Sequence, residues 1–169
     1  MASPPPPPPQ KTGLALPLLY RVFFLFLEPI SALVGAYFCQ VRQARYLALL
    51  DGPSAAAATY ATGAPPLGTS VALSQLANMY LFFALNEAVV LRSTSDLRVW
   101  KAVLAVMLLA DLGHLYSMSA LGPRIYYDVL GWNAGDWGNV PWVYGGATLR
   151  VCFLAGVGMG MKAPAKKSQ

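Results

Sequence analysis

Residues 16–39 read LPLLYRVFFLFLEPISALVGAYFC. A helix needs about twenty mostly apolar residues to cross the hydrocarbon of a bilayer, and this stretch meets that length with only Arg21, Glu28 and Pro29 interrupting it. A secretory signal is the competing reading, because Val34-Gly35-Ala36 has the small residues of a cleavage site. The apolar core of a signal is only about 7–15 residues, and a Glu-Pro step at its centre does not suit it. The stretch is therefore read as the first of several membrane spans.

The whole chain carries the same message. It has 169 residues, of which 56% are hydrophobic and 11% charged. A soluble domain normally holds about a quarter charged residues, and a chain this short cannot bury so much apolar surface. Further apolar blocks run over 69–91, 99–120 and 140–161. The predicted fold is all-α, one bundle of about four antiparallel transmembrane helices over residues 14–161. Before it, residues 1–13 form a proline-rich tail with six consecutive prolines, Pro4 to Pro9, which builds no core. After it, residues 162–169 form a basic tail.

Between the first two spans, 40–68 is a mixed linker with a short helix expected against the membrane. Ser93 and Asp96 have capping-box spacing, so the third helix should start close by. Gly122-Pro123 ends it. The loop that follows carries Tyr126, Tyr127, Trp132, Trp137 and Trp142, rings that collect at a lipid–water boundary. Gly156, Gly158 and Gly160 would permit close helix approach late in the fourth span.

The net charge of +5 comes from scattered Lys and Arg with no basic stripe, so nucleic acid is not an expected partner. Lys11, Arg92, Arg98, Lys101, Lys162, Lys166 and Lys167 fall on one side of the expected topology, and Arg42, Arg45 and Arg124 on the other. The positive-inside rule then puts both termini in the cytoplasm. There Lys166-Lys167 would act as a dilysine retrieval signal of the endoplasmic reticulum. Cys39 and Cys152 fall on different helices at different depths, so no disulfide is expected. With one histidine, no multi-histidine metal site can form, and neither metal nor cofactor is expected.

Ionisable groups at bilayer depth are costly and mark candidate sites. Glu28, Asp111 and Arg150 come from three spans and fall near the midplane. His114 lies one turn from Asp111, and Ser117 continues that face. Gln75, Asn78 and Asn86 share about a quarter-turn sector of the second span, and Glu87 near its end could pair with Arg92. Pro29 removes a backbone hydrogen bond and frees the carbonyl near Leu25. Arg150 neutralises one carboxylate, which leaves the other protonated, hydrated or paired with His114. The catalytic candidates are Asp111, His114 and Glu28. Gln75, Asn78, Asn86, Glu87, Ser117 and Arg150 are candidates for ligand contact. The same polar residues can also act as interhelical glue.

Glu28-Pro29-Ile30-Ser31-Ala32, Ala84-Leu85-Asn86-Glu87-Ala88, Asp111-Leu112-Gly113-His114-Leu115-Tyr116 and Trp132-Asn133-Ala134-Gly135-Asp136-Trp137-Gly138-Asn139 resemble a family of small fungal four-span membrane proteins of unassigned function. The resemblance runs from Leu16 to Met161. In plan, though not in motif, the chain also resembles the group of the sterol delta-8,7 isomerase and the sigma-2 receptor, which implies a bundle enclosing an apolar ligand beside acids and a histidine. The function expected is binding of a lipid-like or sterol-like molecule. Any chemistry would be proton transfer, isomerising or cyclising an isoprenoid-derived substrate, with His114 or Asp111 as acid and Glu28 stabilising a developing cation. The alternatives are a non-enzymatic interaction or scaffold protein, with a protein partner or a second copy, and an oligomeric proton-coupled transporter.

Overall fold

A computed structural model describes residues 16–59 and 63–159. The tails 1–13 and 162–169, with Lys166-Lys167, lie outside the described residues. Among the described residues every regular element is helical. Helix α1 runs Leu18–Val41, and α5 runs Leu97–Ser117 with a 3-10 extension Met118–Leu121. Each is long and apolar enough to cross a membrane. Helix α4 runs Leu67–Leu85 and continues through a π turn, Asn86–Val90, and a 3-10 turn, Leu91–Ser93. The linker holds two short helices, α2 (Gln43–Leu50) and α3 (Gly52–Thr59). Helices α6 (Ala134–Asn139) and α7 (Pro141–Leu154) complete the chain.

Proline chemistry shapes α1. Residues Phe23–Leu27 widen into a π turn just before Pro29. Without an N–H, Pro29 cannot take up the Leu25 carbonyl four residues back. The Arg92 guanidinium donates to that carbonyl instead and also lies 4.4 Å above the Phe26 ring. Arg92 is thus engaged with α1, not with Glu87. The cap of α5 also differs from the Ser93 capping box. Asp96 accepts from Arg98 N at 2.8 Å, while the Ser93 hydroxyl donates back to the Val90 carbonyl.

The last helix is shorter than the 140–161 expected. Its 14 residues span about 21 Å. Gly156 and Gly158 end it, with φ of +80° and +72°. Gly156 N bonds to Phe153 O and Val157 N to Cys152 O, the paired bonds of a Schellman cap, which needs a left-handed residue. These glycines stop the helix where the sequence reading had them easing helix contact. Tyr20 Oη then donates to Val157 O at 2.8 Å and ties the stop to α1.

Backbone packing is closest between α1 and α4 and between α5 and α7. The two pairs meet at one end over a dry core of Tyr20, Phe24, Leu91, Trp100, Leu104, Met107 and Phe153. Although consecutive, α4 and α5 make little backbone contact along their helical lengths. The space between the pairs is covered by α2 and α6. Asn133 Nδ2 donates to Leu49 O at 2.9 Å, and a Cβ on Gly135 would lie 2.9 Å from that same oxygen. A side chain at 135 would force these two short helices apart. Both cysteines are free thiols.

Candidate functional site

At the boundary between the dry core and the open space, four charged side chains meet. Arg150 of α7 is fully buried. Its Nη2 lies 2.8 Å from Glu28 Oε1 of α1 and 3.1 Å from Glu87 Oε1 of α4, and its Nη1 lies 2.8 Å from Asp111 Oδ2 of α5. All four long helices contribute one member. The guanidinium also sits 5.5 Å from the Phe24 ring and 5.4 Å from Phe83. Gly146, one turn earlier on α7, makes the room. A Cβ there would lie 2.8 Å from Arg150 Nη1 and 3.0 Å from Glu28 Oε1.

One guanidinium faces three carboxylates. In a buried, weakly polarisable site the cluster balances only if two protons are held among the acids. Glu28 Oε2, Glu87 Oε2 and Arg150 Nε are buried without a hydrogen-bond partner.

Above the cluster lies a cavity of about 610 Å³, within the 300–1,000 Å³ common for small-molecule sites. Glu28 and Asp111 form part of its floor, and His114 stands on its wall. Most of the rest is apolar, including Ala32, Phe38, Leu76, Met79, Phe83 and Trp142. His114 Nε2 is 3.2 Å from Asn139 O, the last carbonyl of α6. A carbonyl only accepts, so Nε2 carries a proton there and the neutral ring keeps Nδ1 as its acceptor.

The three catalytic candidates, Glu28, Asp111 and His114, therefore share one cavity wall. Arg150 and Glu87 lie behind it and hold the two acids. The remaining candidates are elsewhere. Gln75 and Asn78 are exposed on the outer face of α4. Asn86 Nδ2 donates to Phe82 O of its own helix, and Ser117 Oγ to His114 O. The amide sector points outward because α4 packs on α1 through Leu73, Ala77 and Ala84, all buried, and small residues allow that approach. Glu87, a third of a turn away, is carried inward.

Sequence reading missed three contributors. Gly146 is four residues before Arg150, a spacing that stacks them on one face. Tyr46 and Tyr80 also line the cavity. Tyr80 packs on Gly35, where a Cβ would be 3.1 Å from its ring.

The described residues are thus all-helical, with two helices long and apolar enough to cross a membrane and a largely apolar cavity whose floor holds ion-paired side chains. The chain belongs to a family defined by a domain of unknown function (DUF7704), which matches residues 13–160. No curated protein and no solved structure shows significant similarity to it.

Proposed function

We propose that the protein is an integral membrane protein that binds a lipid-like small molecule in the cavity above Arg150. The observation that carries this reading is that Glu28, Asp111 and His114, from two different helices, line one largely apolar cavity of ligand size. The outward faces of the helices support the membrane setting. Ile30, Phe82, Val106 and Leu109 are all more than half exposed, and lipid is the solvent that tolerates such a belt. In this reading the helix pairs α1–α4 and α5–α7 make four spans, the short α7 being completed by the segments at its two ends. The loop charges put both termini in the cytoplasm, and Lys166-Lys167 address the protein to the endoplasmic reticulum.

Direct pairing of Arg150 with three acids speaks for a structural role of the cluster, and the cavity beside Asp111 speaks for binding. The two divide by side chain: Arg150 and Glu87 brace, and Glu28, Asp111 and His114 contact the ligand. The likeness of plan to sterol-binding bundles is analogy alone. In its catalytic form the reading is proton transfer on an isoprenoid-derived substrate, with His114 or Asp111 as the acid and Glu28 beside the developing positive charge.

The test is native mass spectrometry with lipid extraction on protein purified from its own membranes. Wild type is expected to retain a defined small molecule that the folded Asp111→Asn, His114→Ala double variant loses. His114→Ala alone serves if the double variant does not fold. Only bulk phospholipid on every form would overturn the reading. A second reading, an interaction protein, is favoured by exposed Gln75 and Asn78 on α4, since amides facing lipid ask for a partner.

A further inference from the structure

Two clusters stand out among the polar side chains of the cavity, which also include Ser31 and Asn139. One is the floor, Glu28 and Asp111 with His114 a turn above. The other is Tyr46 and Tyr80. Tyr46 comes from the covering helix α2 and Tyr80 from α4, and their hydroxyl ends approach each other beside the thiol of fully buried Cys39. Tyr80 is fixed there by Gly35, against which its ring packs. Gly35 is seven residues beyond Glu28 on the same helix, two turns or about 10 Å of rise. Between them the wall includes Ala32 of α1 and Phe83 of α4. Ser31, also in that stretch, spends its hydroxyl on the Glu28 carbonyl at 2.7 Å.

We infer that the cavity recognises its ligand at two poles, the Glu28–Asp111 floor and a Tyr46–Tyr80 hydroxyl pair about 10 Å away, and that the ligand class is an elongated apolar molecule with a hydrogen-bonding group at each end. This rests on the reading of the cavity as a ligand site and adds the shape and polarity of what fills it. The chemistry of the second pole fits this: Tyr46 and Tyr80 both line the cavity, and each hydroxyl is a donor that also carries two acceptor lone pairs. At the floor, Glu28 and Asp111 both line the cavity and supply the opposite terminus. An apolar wall between two polar ends selects by length, because a molecule too short leaves one end unpaired in a dry site.

The probes are hexanediol, with a hydroxyl at each end, hexanol and hexane. Binding to the full chain in detergent is read from the rise of the thermal midpoint with probe concentration. Hexanediol is expected to bind wild type about five- to ten-fold tighter than hexanol, the effect of one added hydrogen bond. That ratio should fall to near one in the Tyr46→Phe, Tyr80→Phe double variant, which keeps both rings and the packing on Gly35. Equal binding of diol and alcohol by wild type would overturn the two-pole inference while leaving a ligand cavity. A diol preference that survives the Phe substitutions would overturn the assignment to Tyr46 and Tyr80. If none of the three probes binds, the ligand-site reading fails and the inference falls with it. Should the double variant not fold, Tyr80→Phe alone carries the comparison.

Discussion

Gly146 and Arg150 stand one turn apart on α7, and a methyl group on Gly146 would come within 2.8 Å of Arg150 Nη1 and 3.0 Å of Glu28 Oε1. The glycine is the space into which the ion pair folds. Gly146→Ala should therefore lower stability even though alanine is the better helix former. Overpacking of this kind costs about 1–3 kcal/mol. Thermal unfolding in detergent reads it, and an unchanged or raised midpoint would refute the tight packing.

The four-residue cluster is unbalanced, so its members should respond with opposite signs. Arg150→Met strands three acids around an apolar side chain and should cost about 3–5 kcal/mol, as when one partner of a buried pair is removed. Glu87→Gln takes away one excess acid that lies behind the cavity wall, and should leave stability within about 1 kcal/mol of wild type or above it. Adding Glu28→Gln and Glu87→Gln to Arg150→Met should recover a large part of the loss. Equal damage from Arg150→Met and Glu87→Gln would mean that charge balance does not govern the cluster.

Arg92 and Pro29 are coupled through a third group, the Leu25 carbonyl, which Pro29 releases and Arg92 takes up. In wild type, Arg92→Ala should cost about 1 kcal/mol or somewhat more for a charged donor. On a Pro29→Ala background the helix can satisfy its own carbonyl, and the same substitution should cost little. A double-mutant cycle measures this. Additive effects would show that the proline and the arginine act separately.

How much of this was legible can be argued from the buried stripes. On α4 the inward residues are Leu73, Ala77, Tyr80, Ala84, Glu87 and Leu91; on α5 they are Trp100, Leu104, Met107, Asp111, His114 and Met118. Both repeat at alternating four and three, the seam of packed helices. Glu28 follows Phe24 at four, and Arg150 follows Gly146 at four. Each charged residue lies on its helix's packing seam, so meeting at a common centre follows from the sequence once the seams are drawn. Depth alone was enough for Glu28, Asp111 and Arg150. It failed for Glu87, which lies near the end of its helix, and it gave Gln75 and Asn78 an interior role because polarity was weighed ahead of the small residues Ala77 and Ala84. Tyr46 was out of reach. It comes from a short helix whose docking over the cavity depends on the distant Asn133 and Gly135.

The outward amides make a prediction of their own. If Gln75 and Asn78 meet a partner within the membrane, Gln75→Leu with Asn78→Leu should abolish an association seen for wild type by light scattering or crosslinking in lipid discs. Internal stability and probe binding should be unaffected, because neither side chain touches the cavity or the cluster. A wild type that is monomeric at every lipid ratio and captures no partner would leave the two amides without a role in association within the membrane.

Alkaline pH tests the surroundings of Tyr46, which belongs to the covering helix α2. Burial first, and then neighbouring Tyr80 and Cys39, push its hydroxyl well above the ordinary 10.0. The folded state therefore holds this proton more tightly than the unfolded chain does. Its contribution is fully present below about pH 10, the ordinary tyrosine value, and is lost as pH rises above that. Tyr46→Phe removes the titrating group, so its thermal midpoint should fall less steeply than that of wild type between about pH 9 and 11. Identical slopes would mean that the hydroxyl is solvated, which would remove α2 as a cover for the cavity and with it the sheltered second pole.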